Sequence, residues 1–166
     1  AAYRTALSKT PFRVGYIDAF AGTGYRSPSR VERPDSLDQL DLFPDLAEVP
    51  TQELLDGSAR IALRVQLGFD RYVFIEKRED RCQSLEALRD EFPNAAPDIR
   101  IRRGEANDEI RKICDANWSG YRAVLFLDPY GMQVEWTTIQ AIAATRAIDL
   151  WLLFPLGMGV NRLLTR

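Results

Sequence analysis

The chain has 166 residues, enough for one domain with a core of its own. Its 22 basic and 24 acidic residues leave a formal charge of −2, and 46% of the residues are hydrophobic; this fits a folded globular chain and gives no support to a nucleic-acid binder that works by overall charge. There is no histidine, and the two cysteines, Cys82 and Cys114, form no CxxC pair, so His-based catalysis within the chain is excluded and neither a metal site nor a disulfide framework is expected.

No apolar run reaches the ~18 residues of a membrane span and no signal peptide is visible, so no membrane partner and a cytoplasmic location are expected. The chain starts without Met and ends at Arg166 with no terminating signal, which reads as a single domain over 1–166 with a further C-terminal segment to follow. There is no internal repeat. Charge is uneven: residues 1–34 carry six basic and two acidic side chains, and residues 35–56 carry seven acids and no base.

In chain order, residues 13–20 read as a buried strand that runs into Gly22-Thr23-Gly24. Residues 26–57 then form an acidic insertion containing Pro28, Pro34, Pro44 and Pro50, either a movable wall or a solvated loop. Ser58 reads as the N-cap of the next helix. A short strand over 72–75 ends at Glu76, and residues 81–92 carry apolar side chains at helical spacing. Residues 99–103 alternate as a strand ending at Gly104, and 108–118 read as a helix. Residues 123–127 are the most apolar strand, 136–145 a helix, and 149–154 a fifth strand. The alternation of strand and helix, with strands apolar throughout, predicts a Rossmann-like α/β fold: a mostly parallel sheet with helices on both faces. Trp118, Trp136 and Trp151 read as packing residues, and the two cysteines as small buried hydrophobes.

Ligands in such sheets bind beyond the carboxyl ends of the strands. Each strand end here carries a distinctive residue, and all lie along one edge. Asp18, Phe20, Gly22 and Gly24 form an acid followed by a tight turn that lets backbone approach a ligand. Glu76 at the second strand end is placed to accept hydrogen bonds from both hydroxyls of a ribose; its plainer reading is a surface acid pairing with Lys77 or Arg78. Asn107 and Asp108, after the third strand, have two readings of equal weight: one of them flanks an adenine edge, or one caps the following helix. No GxxxxGK[ST] is present, and Ser27 stands where a dinucleotide fingerprint needs its third Gly, so a nucleoside triphosphate and a dinucleotide-dependent oxidoreductase are both disfavoured.

Asp128-Pro129-Tyr130-Gly131 closes the fourth strand. Asp128 and the carbonyl preceding the N–H-less Pro129 are able to accept two hydrogen bonds from an exocyclic amine and ready its nitrogen to attack a methyl sulfonium. Tyr130 is a candidate to stack on a base drawn out of its helix. No general base is needed before attack, so the absence of histidine is no obstacle. The plainer reading is a tight turn with an aromatic plug. Arg60, Arg64 and Arg71 read as a solvated helix face, with a phosphate-facing patch as the less favoured reading.

Asp18-Ala19-Phe20-Ala21-Gly22-Thr23-Gly24 resembles motif I of the class I S-adenosylmethionine-dependent methyltransferases, and Asp128-Pro129-Tyr130-Gly131 resembles their D-P-P-Y motif IV. The likeness is closer to the three-Cys-motif partner family, through the run from Tyr16 to Gly24, Gly57-Ser58-Ala59, Phe74-Ile75-Glu76, Asp128 to Gly131, and the segment from Trp151 to Arg162. A second likeness is to ribosomal-RNA adenine-N6 methyltransferases with an insertion after motif I; the D-P-F-G of tRNA guanine-N2 methyltransferases is also near. The aromatic residue here is third in motif IV instead of fourth. The resemblance implies S-adenosylmethionine as cofactor, Asp128, Pro129 and Tyr130 at the acceptor, and Asp18, Phe20, Gly22, Gly24, Glu76, Asn107 and Asp108 around the cofactor. It implies methyl transfer to an exocyclic amine on a nucleobase of RNA or DNA, with a three-Cys-motif protein as a candidate partner. The alternative is a non-catalytic partner module that keeps the fold.

Overall fold

A computed structural model describes residues 2–24, 56–129 and 133–153. The elements are α1 (Ala2–Leu7), β1 (Arg13–Asp18), α2 (Ser58–Leu63), β2 (Arg71–Glu76), α3 (Glu79–Glu86), α4 (Leu88–Glu91), β3 (Ile99–Arg103), α5 (Ala106–Cys114), β4 (Tyr121–Leu127), α6 (Trp136–Thr145) and β5 (Ile148–Leu152). The five strands form one sheet in the order β3-β2-β1-β4-β5, parallel at every pairing. Strand order reverses between β1 and β4, and this crevice is where such sheets bind ligands.

Alternate side chains of each strand enter two cores. Ile17, Ile75, Leu125 and Leu127 pack with Ile110 and Ile113 of α5 and Ile142 of α6. Tyr72, Phe74 and Ile99 pack on the other face with Ala59 and Ala62 of α2, Leu85 of α3 and Leu88 of α4. Helices therefore cover both faces, as the apolar strands predict. Rings of Tyr16, Phe69, Tyr72 and Phe74 close the second core at centroid distances of 5.4 to 6.5 Å.

The differences from expectation have local causes. The helix expected over 81–92 divides near Ala87, where bonding passes from an i−4 contact (Ala87 N–H to Gln83 C=O, 3.2 Å) to an i−3 contact (Asp90 N–H to Ala87 C=O, 3.2 Å). The helix expected over 108–118 begins two residues earlier and ends at Cys114. Beyond its end, Asn117 Oδ1 accepts the Ser119 N–H at 2.9 Å, a local turn in place of the expected last helical turn. Helix α1 escaped the sequence reading. Strand β5 is mostly exposed, and Trp136 and Trp151 stand 72% and 62% exposed, so only Trp118 of the three tryptophans packs on the core. Arg60 is neither solvated nor phosphate-facing: it is buried and pairs with Glu91 of α4, while Arg64 pairs with Asp56.

Candidate functional site

The glycine turn after β1 lies between two acids. Asp18 pairs in register with Phe74 and Phe126, so Glu76 and Asp128, each two residues further on, flank the level of Phe20. Backbone bonds carry the ladder past the strand ends: Ala19 N–H to Phe126 C=O at 3.2 Å and Ala21 N–H to Ile75 C=O at 3.2 Å. Above this floor opens a cleft of about 340 Å³, with Ala19, Phe20, Glu76, Gly104, Glu105 and Asp128 among its lining residues. Ala106, Gln133 and the basic side chains Lys77, Arg78 and Arg81 complete the rim.

Asp18 does not line the cleft. It is fully buried beneath the turn, where Oδ1 accepts the Phe20 N–H at 3.2 Å and Oδ2 accepts the Ser58 hydroxyl at 2.5 Å. Burial raises its pKa from 3.8 to about 6; the hydrogen bonds from Ser58 and Phe20 pull it down, and the charges of Asp128 and Glu76 push it up. Ser58 is thus not the N-cap it was expected to be. Gly57 holds that position, and the serine hydroxyl reaches Asp18 instead.

The two turn glycines differ. Both have positive φ, 61° at Gly22 and 74° at Gly24. A Cβ on Gly22 would meet nothing within 4 Å, whereas one on Gly24 would lie 3.2 Å from Leu88 Cδ1. Gly22 presents bare backbone to open space, and Gly24 lets the turn pack on the α3–α4 core.

Glu76 is 8% exposed. One oxygen accepts the Arg78 N–H at 2.9 Å and the other lies 3.6 Å from Arg81 Nη1, which leaves lone pairs for a ligand. The expected partners Lys77 and Arg78 turn instead to Glu105 (3.2 Å) and Asp80 (2.7 Å). Sequence reasoning missed Arg81; it lies five residues after Glu76, within the first turn of α3.

Asn107 and Asp108 are not among the residues lining the cleft. Asn107 is buried, with Nδ2 donating to Gln133 C=O at 2.9 Å and Oδ1 accepting from Glu135 N–H at 3.0 Å and Thr138 Oγ1 at 2.9 Å. Asp108 is exposed and pairs with Arg111 at 2.7 Å. Neither caps the helix, because Glu105 is the N-cap of α5. The helix start two residues before the expected one brings Glu105 and Ala106 to the cleft.

Asp128 is exposed at the cleft and Pro129 is buried behind it. Tyr130, Gly131 and Met132, residues 25–55, which hold most of the insertion, and the run from Phe154 onward lie outside the described residues. Among the described residues no group of acids or cysteines is arranged to hold a metal, and no helix is long and apolar enough to cross a membrane.

These features define a doubly wound, all-parallel α/β domain whose ligand cleft sits at the strand-order reversal, with three acids at successive strand ends. Comparison with solved structures gives similar proteins. A Legionella pneumophila protein of the DUF519 family superposes with a TM-score of 0.58 at 12% identity, over 89% of this chain and 61% of its own. A conserved hypothetical protein from Streptococcus pyogenes gives 0.47 at 18% identity, over 87% of this chain and 68% of its own. The Escherichia coli protein yhhF, provisionally described as a methyltransferase, gives 0.41 at 15% identity, over 92% of this chain and 60% of its own. The first of these supports a shared fold, and this chain spans 61% of that neighbour's length. No family model and no curated protein matches the chain, so the three-Cys-motif partner resemblance rests on its motif residues.

Proposed function

We propose that the chain is an S-adenosylmethionine-dependent methyltransferase acting on an exocyclic amine of a nucleobase in RNA or DNA. The observation that carries this reading is the set of acids at the ends of β2, β1 and β4: Glu76, Asp18 and Asp128, around one glycine turn at the point of strand-order reversal. Carboxylates repel the phosphates of a nucleoside triphosphate or a dinucleotide and favour a ligand bearing a sulfonium and an ammonium. Each cation on the rim already faces an acid, Lys77 with Glu105, Arg78 with Asp80 and Arg81 with Glu76, so little positive charge is left to hold a phosphate.

The residues fit that cofactor. The open backbone at Gly22 and the side chain of Phe20 suit its amino-acid end, Glu76 its ribose hydroxyls, and Glu105 and Ala106 the far wall. The cofactor supplies an electrophilic methyl group. Asp18 holds the turn in shape from below without contacting the ligand. Asp128 accepts an N–H of the incoming amine and orients its lone pair for in-line attack, and Pro129 fixes the carbonyl beside it. Tyr130 is assigned to stacking on the acceptor base. The proton leaves after transfer, when the nitrogen has become acidic, and exposed Asp128 can pass it to water.

Calorimetry with S-adenosylmethionine and its demethylated product tests the cofactor half, and absence of heat at millimolar ligand sinks it. Tritiated methyl incorporation into total RNA, DNA and protein, with and without a three-Cys-motif protein, tests the transfer. Cofactor binding with no incorporation in any arm would favour the non-catalytic module.

A further inference from the structure

At the amino ends of the strands, on the opposite edge of the sheet from the cleft, a groove of about 480 Å³ opens between the sheet and the end of α5. Arg13 of β1, Arg71 of β2 and Arg122 of β4 line it at the amino ends, whereas Arg102 of β3, in register with Ile75, and Lys112 of α5 line it further along. Arg102 stands four register positions beyond Arg71, so at ~3.3 Å per residue the cations extend roughly 13 Å along the groove. Asp70 is the one acid among the described lining residues, and it already accepts the Val14 N–H at 2.6 Å and faces Arg4 at 3.6 Å. Arg102 and Lys112 share Glu109, at 2.9 and 2.6 Å, so that trio keeps one net positive charge. Arg122 lies over the Phe12 ring at 3.9 Å. Arg13 and Arg71 are exposed and have no side-chain partner among the described residues.

The floor is apolar and low. Gly15 and Ala123 pair in register on β1 and β4, so no large side chain fills the middle, and Trp118 contributes an apolar wall. A single small anion is held by cations that converge on one point. Here they are spread from the amino ends of β1 and β2 to Arg102 and Lys112 further along an apolar floor, which suits an extended chain of phosphates whose bases or sugars rest on that floor. A duplex is too wide to enter a groove of this size. We propose that this groove binds the backbone of a single-stranded nucleic acid. Its amino-end mouth at Arg13 and Arg71 lies roughly 20 Å from the cleft, given five to seven residues per strand at ~3.3 Å each, and the proposal does not depend on the methyl-transfer reading.

The test is fluorescence anisotropy of a short labelled oligouridine with the whole chain, over a series of potassium chloride concentrations. The wild type is expected to bind, more weakly as salt rises. The double substitution Arg13→Glu/Arg71→Glu is expected to lower affinity by at least about tenfold and to reduce the salt slope by about 1.4, from two phosphate contacts at ~0.7 each. Arg13→Lys/Arg71→Lys is expected to keep most of the binding. Both side chains are exposed, so the melting temperature should not change, and calorimetry with S-adenosylmethionine on the same variant should match wild type; this separates the groove from the cleft. No oligonucleotide binding, binding and salt slope unchanged in the Glu variant, or full displacement by equimolar inorganic tripolyphosphate would overturn the proposal.

Discussion

The buried carboxylate of Asp18 accepts the hydroxyl of Ser58 at 2.5 Å, across forty positions of chain. Beside it, the Gly57 N–H donates to Gly24 C=O at 3.0 Å. The insertion thus leaves and re-enters the fold at one hydrogen-bonded neck, and α2 starts where it would if the turn were short. Asp18 also carries a pH signature. Its folded pKa of about 6 lies above the ordinary 3.8, so between these values the folded chain keeps a proton that the unfolded chain has lost. Its contribution to stability is therefore full below pH ~4 and falls as pH rises through about 6, by on the order of 3 kcal/mol at most. Asp18→Asn should flatten denaturant midpoints over this window and raise them at pH 8 relative to wild type. Ser58→Ala removes a bond that favours the carboxylate, so its loss of stability should extend to higher pH. A pH-independent wild type would contradict this account.

Gly24→Ala and Gly22→Ala should part company. Each forces a side chain into positive φ, a cost of roughly 1 kcal/mol. Only Gly24→Ala also presses on Leu88, so it should lower the melting temperature more. Gly22→Ala should be the milder fold variant and the one that weakens S-adenosylmethionine binding in calorimetry.

Asn107→Ala would leave Gln133 C=O, Glu135 N–H and the Thr138 hydroxyl without their partner at the start of α6. A loss of about 2 kcal/mol is expected from chemical denaturation. Gln133 lines the cleft on the Asp128 side, so methyl transfer should fall more than cofactor affinity. An equal fall in both would return Asn107 to the adenine pocket.

Glu76→Ala and Asp128→Ala should separate cofactor from acceptor. The first should weaken S-adenosylmethionine binding by at least about tenfold, the worth of a charged hydrogen-bond pair. The second should leave that affinity in place and abolish methyl incorporation. Incorporation that survives Asp128→Ala would remove the acceptor role given to it.

Cys82 is buried with its thiol 3.4 Å from Glu76 C=O, and burial raises its pKa; burial pushes the Cys114 thiol up to about 11. Both should react slowly with Ellman's reagent at pH 8 in the native chain and rapidly once unfolded. Fast native labelling of Cys82 would show that the Glu76 region opens.

Much of this molecule was legible in its residues because the signals are local. Apolar runs of five to seven residues announce strands, helical spacing announces α5 and α6, and the Gly22 and Gly24 positions announce a turn needing positive φ. That acids end successive strands also follows from local order, and parallel pairing then sets Glu76 and Asp128 level with Phe20. What a side chain does at its place was decided only by the tertiary structure, since its partner comes from a distant part of the chain. Asp18 lies beneath the turn because Ser58 returns to it, Asn107 joins α6 because β4 lies next to β1, and Arg60 is buried because Glu91 packs across from it. The cations of the second groove came together only when β3, β2, β1 and β4 were laid side by side with α5 beside them. Strand order, which rests on long-range packing, turned five scattered basic residues into one groove.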